Sequence, residues 1–159
     1  MSPNDMVQPT ILKAGIRDVM FGHNVKIIEP VNIYGCTIDD DTFIGPFVEI
    51  QKNVQIGKRS KIQSHTFICE FVTIGDDCFI GHGVMFANDL FKTGTPDPDP
   101  DSWGRTLIES NVSIGSNATI LPVKICSGAV VGAGAVVTKD ITIPGTYLGN
   151  PAKLSRAFG

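Results

Sequence analysis

Long apolar runs are missing from this sequence: nothing in its 159 residues approaches the roughly 20 apolar positions that a membrane helix needs. The opening stretch MSPNDMVQPT lacks the basic-then-apolar plan of a secretory leader, so the expected setting is cytoplasmic, with no membrane partner. An excess of basic charge is missing too. Lys and Arg number 13 against 16 Asp and Glu, for a net charge of -3 and a pI near 5.5, and no nucleic-acid partner is expected from such a balance. Paired cysteines are absent. Cys36, Cys69, Cys78 and Cys126 are scattered without a C-x-x-C, so they read as small, mostly buried hydrophobes and not as a disulfide framework or a zinc site. The length suits one domain, residues 1–159, large enough to bury its own core.

What the chain does have is a beat of six. Ile38, Ile44, Ile50, Ile56, Ile62, Ile68, Ile74 and Ile80 follow one another without a failure, and Phe86 takes the next place. Four residues after each start, up to Ile80, stand Thr42, Val48, Val54, Ser60, Thr66, Val72, Cys78 and Val84, all small or β-branched. Glycine often comes directly after the start, at Gly45, Gly57, Gly75 and Gly81. The pattern resumes at Ile108, Ile114 and Ile120, drops one residue across ILPVKI, and restarts at Ile125, Val131 and Val137. Upstream, Val19, Val25 and Val31 keep the period one residue out of phase.

Helical faces recur at three and four residues and strands alternate at two, so neither explains a strict six. A short strand plus a corner does. Three such units close one triangular turn of a prism, and stacked turns bring equivalent residues onto parallel strands ~4.8 Å apart. The large aliphatic fills the prism and the small residue fits the corner, where Gly57, Asp76, Asp77 and Asn117 are expected to supply turn conformations. The fold expected is all-β, a parallel β-helix of hexapeptide repeats.

The beat breaks once at length, between Phe86 and Ile108. TPDPDPDS cannot lie inside a sheet, because proline removes ladder donors and the carboxylates repel, so residues 88–107 or so are expected to loop out from the wall. Trp103, the only tryptophan, is placed to anchor the return. His65 and His82 should lie on neighbouring rungs, close to the root of this loop, where Asn88 and Asp89 leave the wall. Such a polar group is a candidate reaction site. A tolerated surface insertion and a structural histidine are the plain alternatives.

Toward the C-terminus, residues 131–135 are small, so a narrow groove including Ala133 can run along the wall. Lys139, Lys153 and Arg156 follow, cations suited to phosphate. A ligand with a thin arm and a phosphorylated end, the shape of coenzyme A, matches this stretch; so does a tapering helix with a solvated basic tail.

The closing segment GAGAVVTKDI (132–141) and GNPAK (149–153) resembles that of the hexapeptide-repeat acyltransferases. IQSHTFICE (62–70) with FIGHGVMFANDL (79–90) is similar, more narrowly, to the N-acetyltransferases of nucleotide-linked amino sugars, among them enzymes of dTDP-3-amino-3,6-dideoxyhexoses and UDP-linked 3-amino uronic acids. The likeness implies a left-handed coil, acetyl-CoA as cosubstrate, a dTDP- or UDP-linked amino-deoxy sugar as acceptor, and a role in surface polysaccharide or glycan biosynthesis. It also implies a homotrimer with its active site between subunits. The catalytic candidates are then His82, accepting a proton or orienting the sugar, and Asn88, with His65 and Asp89 as substrate-binding residues. Gly115, Ala133, Lys139, Lys153 and Arg156 are assigned to the coenzyme. ILPVKI departs from the family pattern in lacking a glycine after the proline. The γ-class carbonic anhydrases share the fold and a three-histidine zinc site, but their pair of histidines five residues apart has no counterpart here, and no metal is expected. Two other functions fit the same repeat: an O-acetyltransferase of the serine or sugar type, and a non-catalytic scaffold subunit.

Overall fold

The repeat closes into a three-sided coil. The computed structural model describes residues 7–159, and residues 1–6, which the one-domain expectation includes, lie outside the described residues. Wall 1 stacks Ile16–Arg17, Asn32–Tyr34, Glu49–Ile50, Phe67–Ile68, Met85–Phe86, Thr119–Ile120 and Val136–Val137. Wall 2 stacks Met20–Phe21, Thr37–Ile38, Gln55–Ile56, Val72–Ile74, Thr106–Ile108 and Lys124–Ile125. Wall 3 runs from Lys26–Ile27 through Phe43–Ile44, Lys61–Ile62, Phe79–Ile80, Ser113–Ile114 and Val130–Val131 to Gly145–Leu148, where Lys153–Ala157 closes it antiparallel. All other pairings are parallel, and equivalent residues stack, as in Ile62 on Ile80 on Ile114. The coil is left-handed, of about seven turns.

Each unit points one aliphatic inward, and from Ile33 to Ile125 these side chains are almost wholly shielded from water. The small slot is buried as well. Where it holds a hydroxyl, that group finds a partner: Thr42, Ser60 and Thr66 each donate to a carbonyl of the next rung, at Gly57, Gly75 and Gly81, over 2.9 Å. Burial without a penalty is thereby possible for a polar atom.

Two sequence expectations are corrected. The glycine after each inward residue does not supply the turn conformation. That task falls to Asp41, Phe47, Asn53, Arg59, His65, Phe71, Asp77, Asn111 and Asn117, all at positive φ. Gly75 and Gly81 are needed for closeness instead, since a Cβ at either would come 2.7 Å from the backbone of the next rung. Val19, Val25 and Val31 are not inward residues out of phase. They occupy the small slot, two residues before the inward Phe21, Ile27 and Ile33, and Ile33 to Ile38 is a five-residue step like Ile120 to Ile125.

Three cysteines are buried and Cys126 is half-buried, all unpaired, which matches their reading as small hydrophobes. Burial pushes the Cys36 thiol up to about 11 and the Cys69 thiol up to about 12, so neither is a nucleophile at neutral pH. Among the described residues no helix is long and apolar enough to cross a membrane.

Candidate active site

One turn of the coil spans about 18 residues, and that number decides what meets what. His82 lies at the corner between walls 3 and 1, and Ser64, one turn earlier, lies beneath it with Oγ 2.9 Å from His82 Nδ1. Fixing Nδ1 in this way leaves Nε2 as the ring nitrogen available outward, and the imidazole is exposed. If Nδ1 carries the proton and donates to Ser64, Nε2 is a base; the opposite tautomer makes it a donor. His65 shares this corner. Its ring stacks on Phe47 of the preceding turn, centroids 4.9 Å apart, so a contact with aromatic surface orients it.

Asn88 and Asp89 are elsewhere. The chain leaves wall 1 after Phe86 and rejoins wall 2 at Thr106, so the loop springs from the corner between walls 1 and 2. The expectation that the histidines stand close to the loop root is therefore corrected. Asn88 is one hexad beyond His82, and one hexad is one wall, so the strand Met85–Phe86 separates them.

At its root the loop is built from Asn88 outward. The Asn88 carbonyl accepts from Gly104 N at 2.8 Å, tying the two ends together, while its Nδ2 donates to the Glu70 carbonyl one turn below at 3.3 Å. Asp89 uses both carboxylate oxygens on the loop itself, accepting from Phe91 N at 2.8 Å and Asp97 N at 2.7 Å. Trp103 does anchor the return, by donating from Nε1 to the Asp97 carbonyl over 3.0 Å. Pro100–Ser102 form a single 3-10 turn capped by Asp99, so the acidic run is folded against its own backbone. Asn88, Asp89, Lys92, Asp97, Gly104 and Pro122 line a cavity of about 210 Å³ at this root.

The residues assigned to the coenzyme divide into three places. Gly115 and Ala133 stack on consecutive turns at the histidine corner, so tightly that a Cβ on Gly115 would come 2.5 Å from Ala133 N. On the upper of these two turns Ala133 and Gly134 are exposed, and Gly134 has open space where a side chain would be. Lys153 and Arg156 lie on the final antiparallel strand of wall 3. Lys139 does not join them: it belongs to the corner between walls 1 and 2, beside Asp140. Three cations close in sequence are thus spread by the coil.

Sequence reading missed Ser64 and Glu70. Each stands 18 residues before a residue it did single out, His82 and Asn88, and that offset is the signal that finds them.

Comparison with known proteins agrees with the repeat and the fold. Residues 35–70 match the model described as bacterial transferase hexapeptide (six repeats), and residues 71–85 and 105–139 match the hexapeptide repeat of succinyl-transferase, together more than half of the chain. The chain is 34% identical over 138 residues to the bifunctional protein GlmU of Thermotoga maritima, an alignment covering 79% of this chain and 30% of that protein's length. A hexapeptide-repeat acetyltransferase of Vibrio cholerae, VCA0836, complexed with acetyl coenzyme A, superposes with a TM-score of 0.60 at 27% identity over 70% of this chain and 64% of its own. AntD of Bacillus cereus, an N-acyltransferase in complex with dTDP and coenzyme A, shares the fold, with a TM-score of 0.58 at 23% identity over 91% of this chain and 82% of that one. Repeat, register and matched segments together place this chain in the hexapeptide-repeat family of bacterial transferases.

Proposed function

We propose that this chain moves an acetyl group from acetyl-CoA to the amino group of a dTDP- or UDP-linked amino-deoxy sugar, as a cytoplasmic homotrimer serving glycan synthesis. The observation that carries the reading is the pair of polar stations at the two edges of wall 1: an imidazole oriented by Ser64, and an amide, Asn88, at the mouth of a loop cavity. One chain holds them a wall apart. Packing three prisms about a threefold axis would bring the histidine corner of one copy toward the loop corner of the next, so the site is complete only in the assembly. The likeness of GHGVMFANDL to the amino-sugar enzymes supports the acceptor. The acetyl-CoA-bound relative supports the donor.

The residues present fit a coenzyme. Ala133 and Gly134 offer a flat, side-chain-poor ledge to a pantetheine arm, and Lys153 with Arg156 offers a phosphate end. Lys139 is too far round the coil to share the same phosphate in one chain. In the reaction the amine nitrogen bonds to the acetyl carbon and the C–S bond breaks. The chain's part is to hold the two reactants in line, to take a proton from nitrogen at His82 Nε2, and to point a backbone N–H of the facing copy at the oxyanion, since the Gly83 N–H is engaged by the Ser64 carbonyl at 2.9 Å. Asn88 positions the sugar, with His65 and Asp89 at its margins.

An O-acetyltransferase calls for a more strongly assisted base, a histidine paired with a carboxylate. Among the described residues His82 pairs with a hydroxyl, and both Asp89 oxygens are occupied by the loop, which favours the amine. The test is acetyl transfer to a panel of nucleotide amino-sugars, followed by thiol release. His82→Ala and Asn88→Ala should each lower kcat/KM by about 100-fold, in the range of losses for a general base and for a misplaced reactant. Retention of full activity by both would move the site elsewhere.

A further inference from the structure

Glu70 is the one group that the roles above leave unexplained. Its residue is 8% exposed, and its Oε2 has no hydrogen-bonding partner among the described residues. The other oxygen is 3.7 Å from Lys52 Nζ, beyond the 2.7–2.9 Å of a charge-assisted hydrogen bond, and more than half of the Lys52 side chain is in water. A shielded carboxylate with one idle oxygen is costly, and folded proteins keep such a group where something else completes it.

Its surroundings say what that something is. Glu70 occupies the turn Cys69–Phe71 at the corner between walls 1 and 2, directly under the loop root. Its backbone is clamped from both sides: Glu70 N donates to Gln51 Oε1 at 3.3 Å, and its carbonyl receives Asn88 Nδ2. Gln51 in turn donates to Glu49 Oε1. Tyr34 lies in the same field. Burial first, then the negative charges of Glu49 and Glu70, hold its hydroxyl proton more tightly than usual. The patch holds two carboxylates beside the amide already assigned to the acceptor; Lys52 is loosely placed, and the guanidinium groups of Arg17 and Arg105 are turned onto aromatic rings, over Tyr34 at 5.3 Å and Phe71 at 4.6 Å.

We infer that the Glu70 carboxylate receives the acceptor's amino group, arriving as an ammonium, and is the residue that selects an amine over a hydroxyl. This rests on the acetyl-transfer reading. Oε2 is shielded from solvent, so the Glu70 side chain must turn outward to meet the acceptor; an alkylammonium then gives the idle oxygen both an N–H and a positive charge, whereas a hydroxyl gives only the hydrogen bond. The bound R–NH3+ then gives one proton to His82 Nε2, the base named above, to become the nucleophile. The N–C bond forms as the C–S bond breaks, and the second nitrogen proton leaves to the departing thiolate, yielding the amide and free thiol. Glu70 binds and orients; the inference gives it no share of the proton transfer.

The test uses the full chain with acetyl-CoA, a dTDP-3-amino-3,6-dideoxyhexose or UDP-3-amino sugar that the wild type acetylates, and the matching 3-hydroxyl sugar. Glu70→Gln keeps the shape and removes the charge. It should raise KM for the amine at least tenfold with kcat within about threefold, leave KM for the hydroxyl sugar unmoved, and leave coenzyme affinity and Tm near those of the wild type. Lys52→Ala separates the alternative: it should preserve the amine KM, and a loss equal to that of Glu70→Gln would mean that Glu70 serves only Lys52. An unchanged amine KM in Glu70→Gln, or equal losses for amine and hydroxyl, overturns the inference and leaves acetyl transfer intact. A wild type that acetylates no amine overturns both.

Discussion

Two corners of the same prism behave in opposite ways. Between walls 2 and 3 successive inward residues are always six apart, from Phe21 to Ile27 through Ile125 to Val131. Between walls 1 and 2 the step changes from turn to turn: five at Ile33 to Ile38, six at Ile68 to Ile74, a long excursion from Phe86 to Ile108, and five again at Ile120 to Ile125. The constant corner is laced rung to rung by its own polar groups. Asp40 accepts from His23 N and Lys58 Nζ, Asp76 from Lys58 N, Asp77 from Arg59, and Glu109 from Ser127 N and Lys124 Nζ. The variable corner has few such ties, and it carries Glu70 with its idle oxygen and Asn88 at the loop mouth. Where a corner is laced by its own polar groups the step stays constant; where it is not, the step varies from turn to turn.

The comparison can be broken most sharply by length. One glycine inserted between Asp76 and Asp77 shifts the paired ladder, and should lower unfolding free energy by about 3 kcal/mol or more, the scale at which a core and its network fail together. The same insertion between Pro122 and Val123 only lengthens a corner that already varies, and should cost about 1 kcal/mol or less. Urea unfolding of the two variants decides it, and equal losses would dissolve the distinction.

At the third corner, Ser64→Ala removes the group that orients His82. A lost hydrogen bond of about 1 kcal/mol corresponds to roughly a fivefold drop in kcat/KM, accompanied by a change in the pH profile that a purely structural serine would not produce. An unaltered profile would deprive the imidazole of its orienting partner.

The smallest effect belongs to the exposed pairs. The hydrogen bonds from Arg59, followed by its charge, hold the Asp77 carboxyl below its ordinary 3.8. A depressed carboxylate contributes stability that is present above its unfolded pKa and lost as pH falls through the folded one. Wild type and Asp77→Asn should therefore differ slightly at neutral pH and converge as pH falls below the ordinary 3.8 and through the depressed folded value, with the difference shrinking in salt. Melting curves from pH 7 to pH 2 check this, and a gap that widens on acidification contradicts it.

Much of the architecture was legible in the residues. Isoleucine every sixth place implied the three walls, and proline with aspartate between Phe86 and Ile108 implied the excursion. The site was legible only in parts. His82 and Asn88 look adjacent in FIGHGVMFANDL, yet six residues carry the chain across a whole wall. Ser64 and Glu70 look remote from them and lie directly beneath.

By itself, then, the sequence determined the period, the inward face and the place of the break, because side-chain size and backbone preference act locally and repeat. Only the closed coil decided which residues face one another. Stacking joins positions a full turn apart, and the register of that turn is set by the corners, so contact depends on the sum of all steps between two residues and not on either residue's neighbours.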